Sequence, residues 1–150
     1  MILKNKTSSV HYASTISRIE MLLAEFGATG ITKDYTDGTP SALCFHINTP
    51  DRGEITVRLP SDSKAVYQRL ITAVRRPRSG TDARIRQQAE RTAWKIAQDW
   101  LEVQLTLVRL QKVDVLQVFL AYVWNGRQTF YDALKSGGFK LLPGPKGSDA

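Results

Sequence analysis

Between Lys64 and Lys95 the sequence gathers nine cations (Lys64, Arg69, Arg75, Arg76, Arg78, Arg84, Arg86, Arg91 and Lys95) against two carboxylates, Asp82 and Glu90. The whole chain carries 21 Lys+Arg against 14 Asp+Glu, a net charge of +7, so this one stretch holds the entire surplus and the remainder balances. Seven of the nine cations are arginine. A guanidinium is a planar fork that grips a phosphate through two N–H groups, whereas a lysine offers only a point charge. Positive charge concentrated beside neutral surroundings draws in a polyanion and fixes where it lands. The competing reading is an arginine-rich helix face that simply meets water. The neutrality of everything outside the stretch favours a functional surface.

The residue types that do covalent or metal chemistry are sparse. Cys44 is the one cysteine, so no internal disulfide and no cysteine-zinc site can form. Cys44-x-His46 has strand spacing, which places both side chains on one face about 7 Å apart at Cα and parallel to each other. That geometry is poor for proton transfer between a thiol and an imidazole, and two ligands do not close a metal site. A half-buried Cys44 and a solvent-facing His46 are expected. Asp34 and Asp37 flank a turn, where aspartate serves local hydrogen bonding. Asp99 and Glu102 stand three apart on a helix and pair with cations or face water. Ser61, Ser63 and Ser79 have no evident base, and no glycine loop for phosphates is present. The sequence therefore predicts no enzyme, no metal and no cofactor. Tyr67 is placed to lie beside arginine and stack on a base, and Trp124, next to Asn125-Gly126, is the tryptophan expected at the surface. The other C-terminal aromatics, at helical spacing, read as core.

The elements that must hold the basic stretch are readable. Tyr12, Ile16, Ile19, Leu23 and Phe26 repeat at four and three, predicting a helix over about 15–26. Ser14 or Ser17 is the expected cap and Gly27 the stop. Three strands follow, over about 31–35, 42–48 and 54–59, joined by Asp37-Gly38 and by the turn around Pro50-Asp51. Leu43, Phe45, Ile47, Ile55 and Val57 form one apolar face that needs helices to cover it. Ser61 or Asp62 caps a helix with Val66, Leu70 and Val74 on its stripe. Pro77 stops helical bonding, so Arg75-Arg76-Pro77-Arg78 is a loop.

A long helix is then predicted from about Asp82 to Gln111. One apolar stripe runs through Ile85, Ala89, Ala93, Ile96, Trp100, Val103, Leu107 and Leu110, and a second through Trp94, Leu101, Leu105 and Val108. The late half is expected inside the core. The early half is expected to present Arg84, Gln88, Arg91, Lys95 and Gln98 on one polar face. Asp114 caps a short helix, and Thr129 with Asp132 has the spacing of a capping box for a last one.

At 150 residues, 42% hydrophobic and 23% charged, the chain fits one domain with a real core and excludes a disordered or collagen-like polymer. The fold class is α+β: a three-stranded antiparallel meander packed against four to five helices. Residues 1–10 are expected to be a flexible N-terminus, 11–140 a single domain and 141–150 a disordered tail. No apolar run spans a bilayer and no signal segment is evident, so a cytoplasmic protein without a membrane partner is expected. The wide apolar face of the long helix leaves monomer and homodimer both open.

Val57-Arg58-Leu59-Pro60 at a strand end, and Ala93-Trp94 followed by Asp99-Trp100-Leu101-Glu102-Val103-Gln104 on a helix, resemble a family of small uncharacterised proteins of phages, prophages and related mobile elements. The resemblance covers about residues 12–135. It implies a genetic setting and brings no catalytic residues. The leading expectation is a non-enzymatic nucleic-acid-binding protein. Arg75, Arg76 and Arg78 on the loop and Arg84, Arg91 and Lys95 on the helix would contact the DNA or RNA backbone with little sequence selectivity. The alternative is a protein-binding module whose partner is a host protein, such as a phage-encoded inhibitor of a host defence nuclease.

Overall fold

A computed structural model describes residues 1–145 of the chain. Helix α1 spans Tyr12–Phe26 and buries Thr15, Ile16, Ile19 and Leu23. It begins three residues earlier than the serine caps predicted, because His11 takes the capping role: its Nδ1 accepts from Ala13 N–H at 3.1 Å. Gly27 ends it in the left-handed region, with φ of 102°.

Strands β1 (Gly30–Thr36), β2 (Thr39–Thr49) and β3 (Gly53–Arg58) form an antiparallel sheet in the order β1-β2-β3. Asp37 and Gly38 both have positive φ, 52° and 77°, as a two-residue hairpin turn requires. In the register Phe45 lies opposite Ile31 on one side and Val57 on the other. Leu43, Phe45, Ile47, Ile55 and Val57 are buried on the helix-facing side, as the alternation predicts. The other face departs from the simple pattern, since Ala42 and Cys44 are buried too. Both lie on the central strand, where longer neighbours shade short side chains, and Arg58 stands directly opposite Cys44.

Helix α2 (Ser63–Thr72) is capped by Asp62, whose Oδ1 accepts from Ala65 N–H at 3.0 Å. The helix ends at Thr72, short of the Val74 that the apolar stripe predicted, and residues 73–80 form a loop carrying Pro77 before helix α3 (Thr81–Gln111). At 31 residues α3 is about 46 Å long. Its buried face changes along its length. Early on, Ala89 and Ala93 join Val66 of α2 in a small apolar cluster, with Leu3, Tyr67 and Leu70 packed against it. Later, Trp94, Leu101 and Leu105 join α1 and the sheet in the main core.

The first of the two apolar stripes is thus buried early, at Ile85, Ala89 and Ala93, and in the late half the second is the core-facing one. On the first, Trp100 packs edge-on against Phe119 and Tyr122, but Val103 and Leu110 are 56% and 77% exposed. The late half of α3 is covered on one side fully and on the other only in part.

Lys112, with φ of 51°, breaks the chain away from α3. Asp114 caps helix α4 (Val115–Phe119), which runs into a 3-10 turn at Leu120–Tyr122. Phe119 is fully buried and meets Phe45 edge-on. Val123 then bridges to Val57, and Trp124 N–H donates to the Thr56 carbonyl at 2.8 Å, so this segment lies along the free edge of β3. Thr129 and Asp132 form the predicted capping box of helix α5 (Phe130–Ser136). Of the tail expected to be disordered, residues 146–150 lie outside the described residues.

The opening segment is not loose in the structure. It runs as a strap along α3. Asn5 Nδ2 donates to Asp99 at 2.9 Å, Gln88 Nε2 donates to the Ser8 carbonyl at 3.1 Å, and Thr92 Oγ1 donates to the Asn5 carbonyl at 3.0 Å. Lys4 forms an ion pair with Asp99 at 3.2 Å, and Arg69 donates to the Met1 carbonyl at 3.0 Å. Among the described residues no helix is long and apolar enough to cross a membrane.

Candidate nucleic-acid interface

The loop around Pro77 carries Arg75, Arg76 and Arg78, all exposed. Its end is tied into α3: Arg78 N–H donates to Thr81 Oγ1 at 2.8 Å, and Arg84 N–H donates to the Gly80 carbonyl at 3.1 Å. Gly80, with φ of 84°, makes the sharp entry into the helix. Arg84 stands exposed in the first turn. Among the described residues no carboxylate pairs with Arg75, Arg76, Arg78 or Arg84. Four unpaired guanidinium groups therefore share one end of the molecule, where α2 hands over to α3.

Three further cations of the stretch, Arg86, Arg91 and Lys95, have internal partners. Arg86 is held by Asp82 at 2.8 Å and lies 4.4 Å over the Tyr67 ring. Tyr67 in turn donates its hydroxyl to Asp82, which leaves its ring covered on one face. These contacts raise the Tyr67 phenol pKa, chiefly through the hydrogen bond to Asp82, and hold the Asp82 carboxyl below the usual carboxylate range.

Arg91 donates to Gln88 at 2.7 Å, and Gln88 is itself engaged by the strap. Lys95 lies 3.9 Å from Asp99 and 3.4 Å from Gln98 Oε1. Gln98 is buried and bonded to Glu102. The polar face read from the sequence is thus not a continuous open surface, because the strap lies across Gln88 and Thr92. The six predicted contact residues separate into an open group (Arg75, Arg76, Arg78, Arg84) and two with internal partners (Arg91 and Lys95).

A second feature was not visible in the sequence. The end of the β1–β2 hairpin, the starts of α1 and α2, and the early turns of α3 enclose a cleft of about 1000 Å³. Cations from three elements line it: Arg58, Lys64, Arg86 and Arg91. Arg58 is drawn to Asp34 at 3.7 Å and stacks 4.3 Å from the Trp124 ring, which is therefore shielded rather than open. Three carboxylates, Asp37, Asp62 and Glu90, line the same cleft. Burial pushes the Glu90 carboxyl up, against a hydrogen bond from Ser63 that pulls it down. No single segment signals this cleft, since its walls come from residues as distant as His11 and Arg91.

The Cys44–His46 pair does not assemble into a reactive couple. Cys44 is 6% exposed, and burial pushes its thiol up, away from the thiolate. His46 is half-buried rather than solvent-facing, and both ring nitrogens are taken, by Thr32 Oγ1 at 3.0 Å and Thr56 Oγ1 at 2.8 Å. Among the described residues no group of three or more His, Cys, Asp or Glu side chains is placed to hold a metal ion. Comparison with protein-family models, with curated proteins and with solved structures finds no match to this chain.

Proposed function

We propose that this protein binds nucleic acid through its phosphate backbone, without catalysing a reaction. The observation that carries the reading is the group of four exposed arginines at the α2–α3 junction, none paired with an acid among the described residues. Guanidinium groups left unpaired, on a chain whose net charge is +7, are ready to exchange bulk counterions for phosphates. No side chain in the group is arranged to read base edges, so selectivity for sequence is low.

If about five phosphates are neutralised, the log–log salt dependence on duplex DNA has a slope near −4 to −5. Replacing Arg75, Arg76 and Arg78 together with alanine flattens that slope by about 3 units and leaves the melting temperature unchanged, since the three residues are exposed and lie outside both apolar clusters. Fluorescence anisotropy across a salt series measures the first and thermal unfolding the second. An unchanged slope in the triple variant removes the proposal.

The second reading is a protein partner of the kind a phage-encoded inhibitor would engage. Val103 and Leu110, exposed on one side of α3, favour it. A partner retained from nuclease-treated lysate, and lost on substituting Val103 and Leu110 rather than the arginines, selects it.

A further inference from the structure

Resting on the backbone-binding reading, we propose that the cleft beside the arginine loop receives one unpaired nucleotide, which makes the protein selective for single strands over duplex. The cleft holds about 1000 Å³, within the range that encloses small ligands. It lies between a hairpin tip and the early turns of the helices, and a base paired and stacked inside a duplex is not free to enter it, whereas an unpaired one is.

Its charges favour a nucleotide over further backbone. Lys64 is exposed and has no carboxylate partner among the described residues, so it is available to a phosphate, while Arg91 lines the same cleft with its guanidinium engaged by Gln88. Asp37, Asp62 and Glu90 would repel a second run of phosphates in the same space. A base, in contrast, presents N–H donors that carboxylates accept. Asp62 is already committed to the cap of α2, which leaves Asp37 and Glu90 as the acceptors. His11, exposed at the same cleft with its ring 4.2 Å from that of Tyr12, supplies the aromatic surface there. Arg91 lies two turns along α3 from Arg84, about 10 Å, so a strand crossing the arginine loop reaches the cleft within a few nucleotides.

The test uses the full chain and two fluorescein-labelled probes at one salt concentration, a ten-nucleotide single strand and the duplex of the same length. The wild-type protein is expected to hold the single strand about tenfold more tightly, the size of one stacked and hydrogen-bonded base. Lys64→Gln and Glu90→Leu, which keep side-chain bulk, are each expected to erase that preference while leaving duplex affinity and melting temperature in place. The triple arginine variant is expected to weaken both probes. Equal wild-type affinity for the two probes, or cleft variants that weaken both alike or neither, overturns the cleft assignment and leaves the backbone reading standing. Binding of neither probe by the wild type overturns both.

Discussion

Gly30 shows how one missing side chain fixes another. A Cβ built there would sit 3.2 Å from His46 Cδ2. The imidazole has nowhere to retreat, because Thr32 and Thr56 hold both of its nitrogens. Gly30→Ala should therefore cost about 1–2 kcal/mol by overpacking, read as a lower urea midpoint with the slope unchanged. Asp99 is the residue-scale control of the strap. Burial alone would push its carboxyl up, but the hydrogen bonds from Asn5 and Lys4, with the charges of Lys4 and Lys95, outweigh burial and hold it below the usual range. A carboxyl held low contributes stability that is complete above its unfolded pKa and is lost as pH falls through the folded value. The strap should accordingly loosen in acid, seen as smaller amide protection factors at Lys6 and Ser8 once the intrinsic pH dependence of exchange is divided out. At neutral pH, Asp99→Asn should be cut by trypsin after Lys4 or Lys6 about two- to fivefold faster than wild type.

At the scale of elements, what the sequence reveals is what short-range chemistry decides. Asp37-Gly38, Asp114 and the Thr129–Asp132 box are read correctly because each acts on backbone within a few residues. Breaking that box with Thr129→Ala should cost α5 about 1 kcal/mol, measurable as lost protection of its amides. The start of α1 is missed because an imidazole is an uncommon cap, although the apolar repeat already began at Tyr12. The two stripes of α3 were equally good helical patterns, and only α1, the sheet and α4 decide which one is buried in the late half. The strap and the cleft are invisible for a related reason. Their contacts join positions as far apart as Asn5 and Asp99, a separation of 94, and no local pattern records such a meeting.

At the scale of the molecule, the charge map read from the sequence survives in a narrower form. The α2–α3 junction keeps four open arginines, while Arg86 and Lys95 are drawn to Asp82 and Asp99. Helix α2 has already ended at Thr72, and Pro77, which lacks an N–H, keeps the arginine run from resuming helical bonding before α3 begins. All four open arginines were legible in the sequence, and the internal partners of Arg91 and Lys95 were not, because they depend on the fold.

One helix serves both apolar clusters, and this has a consequence for how the protein melts. The α2 cluster has no core without Ala89 and Ala93, and the main core, which α1 and Phe119 also help to cover, loses its largest buried side chain without Trp94. These residues sit on consecutive turns of one rod, so neither half can lose order while the other keeps it. Indole fluorescence from Trp94 and Trp100 and the far-ultraviolet helical signal should consequently trace one coincident denaturation curve, with no populated intermediate between its baselines.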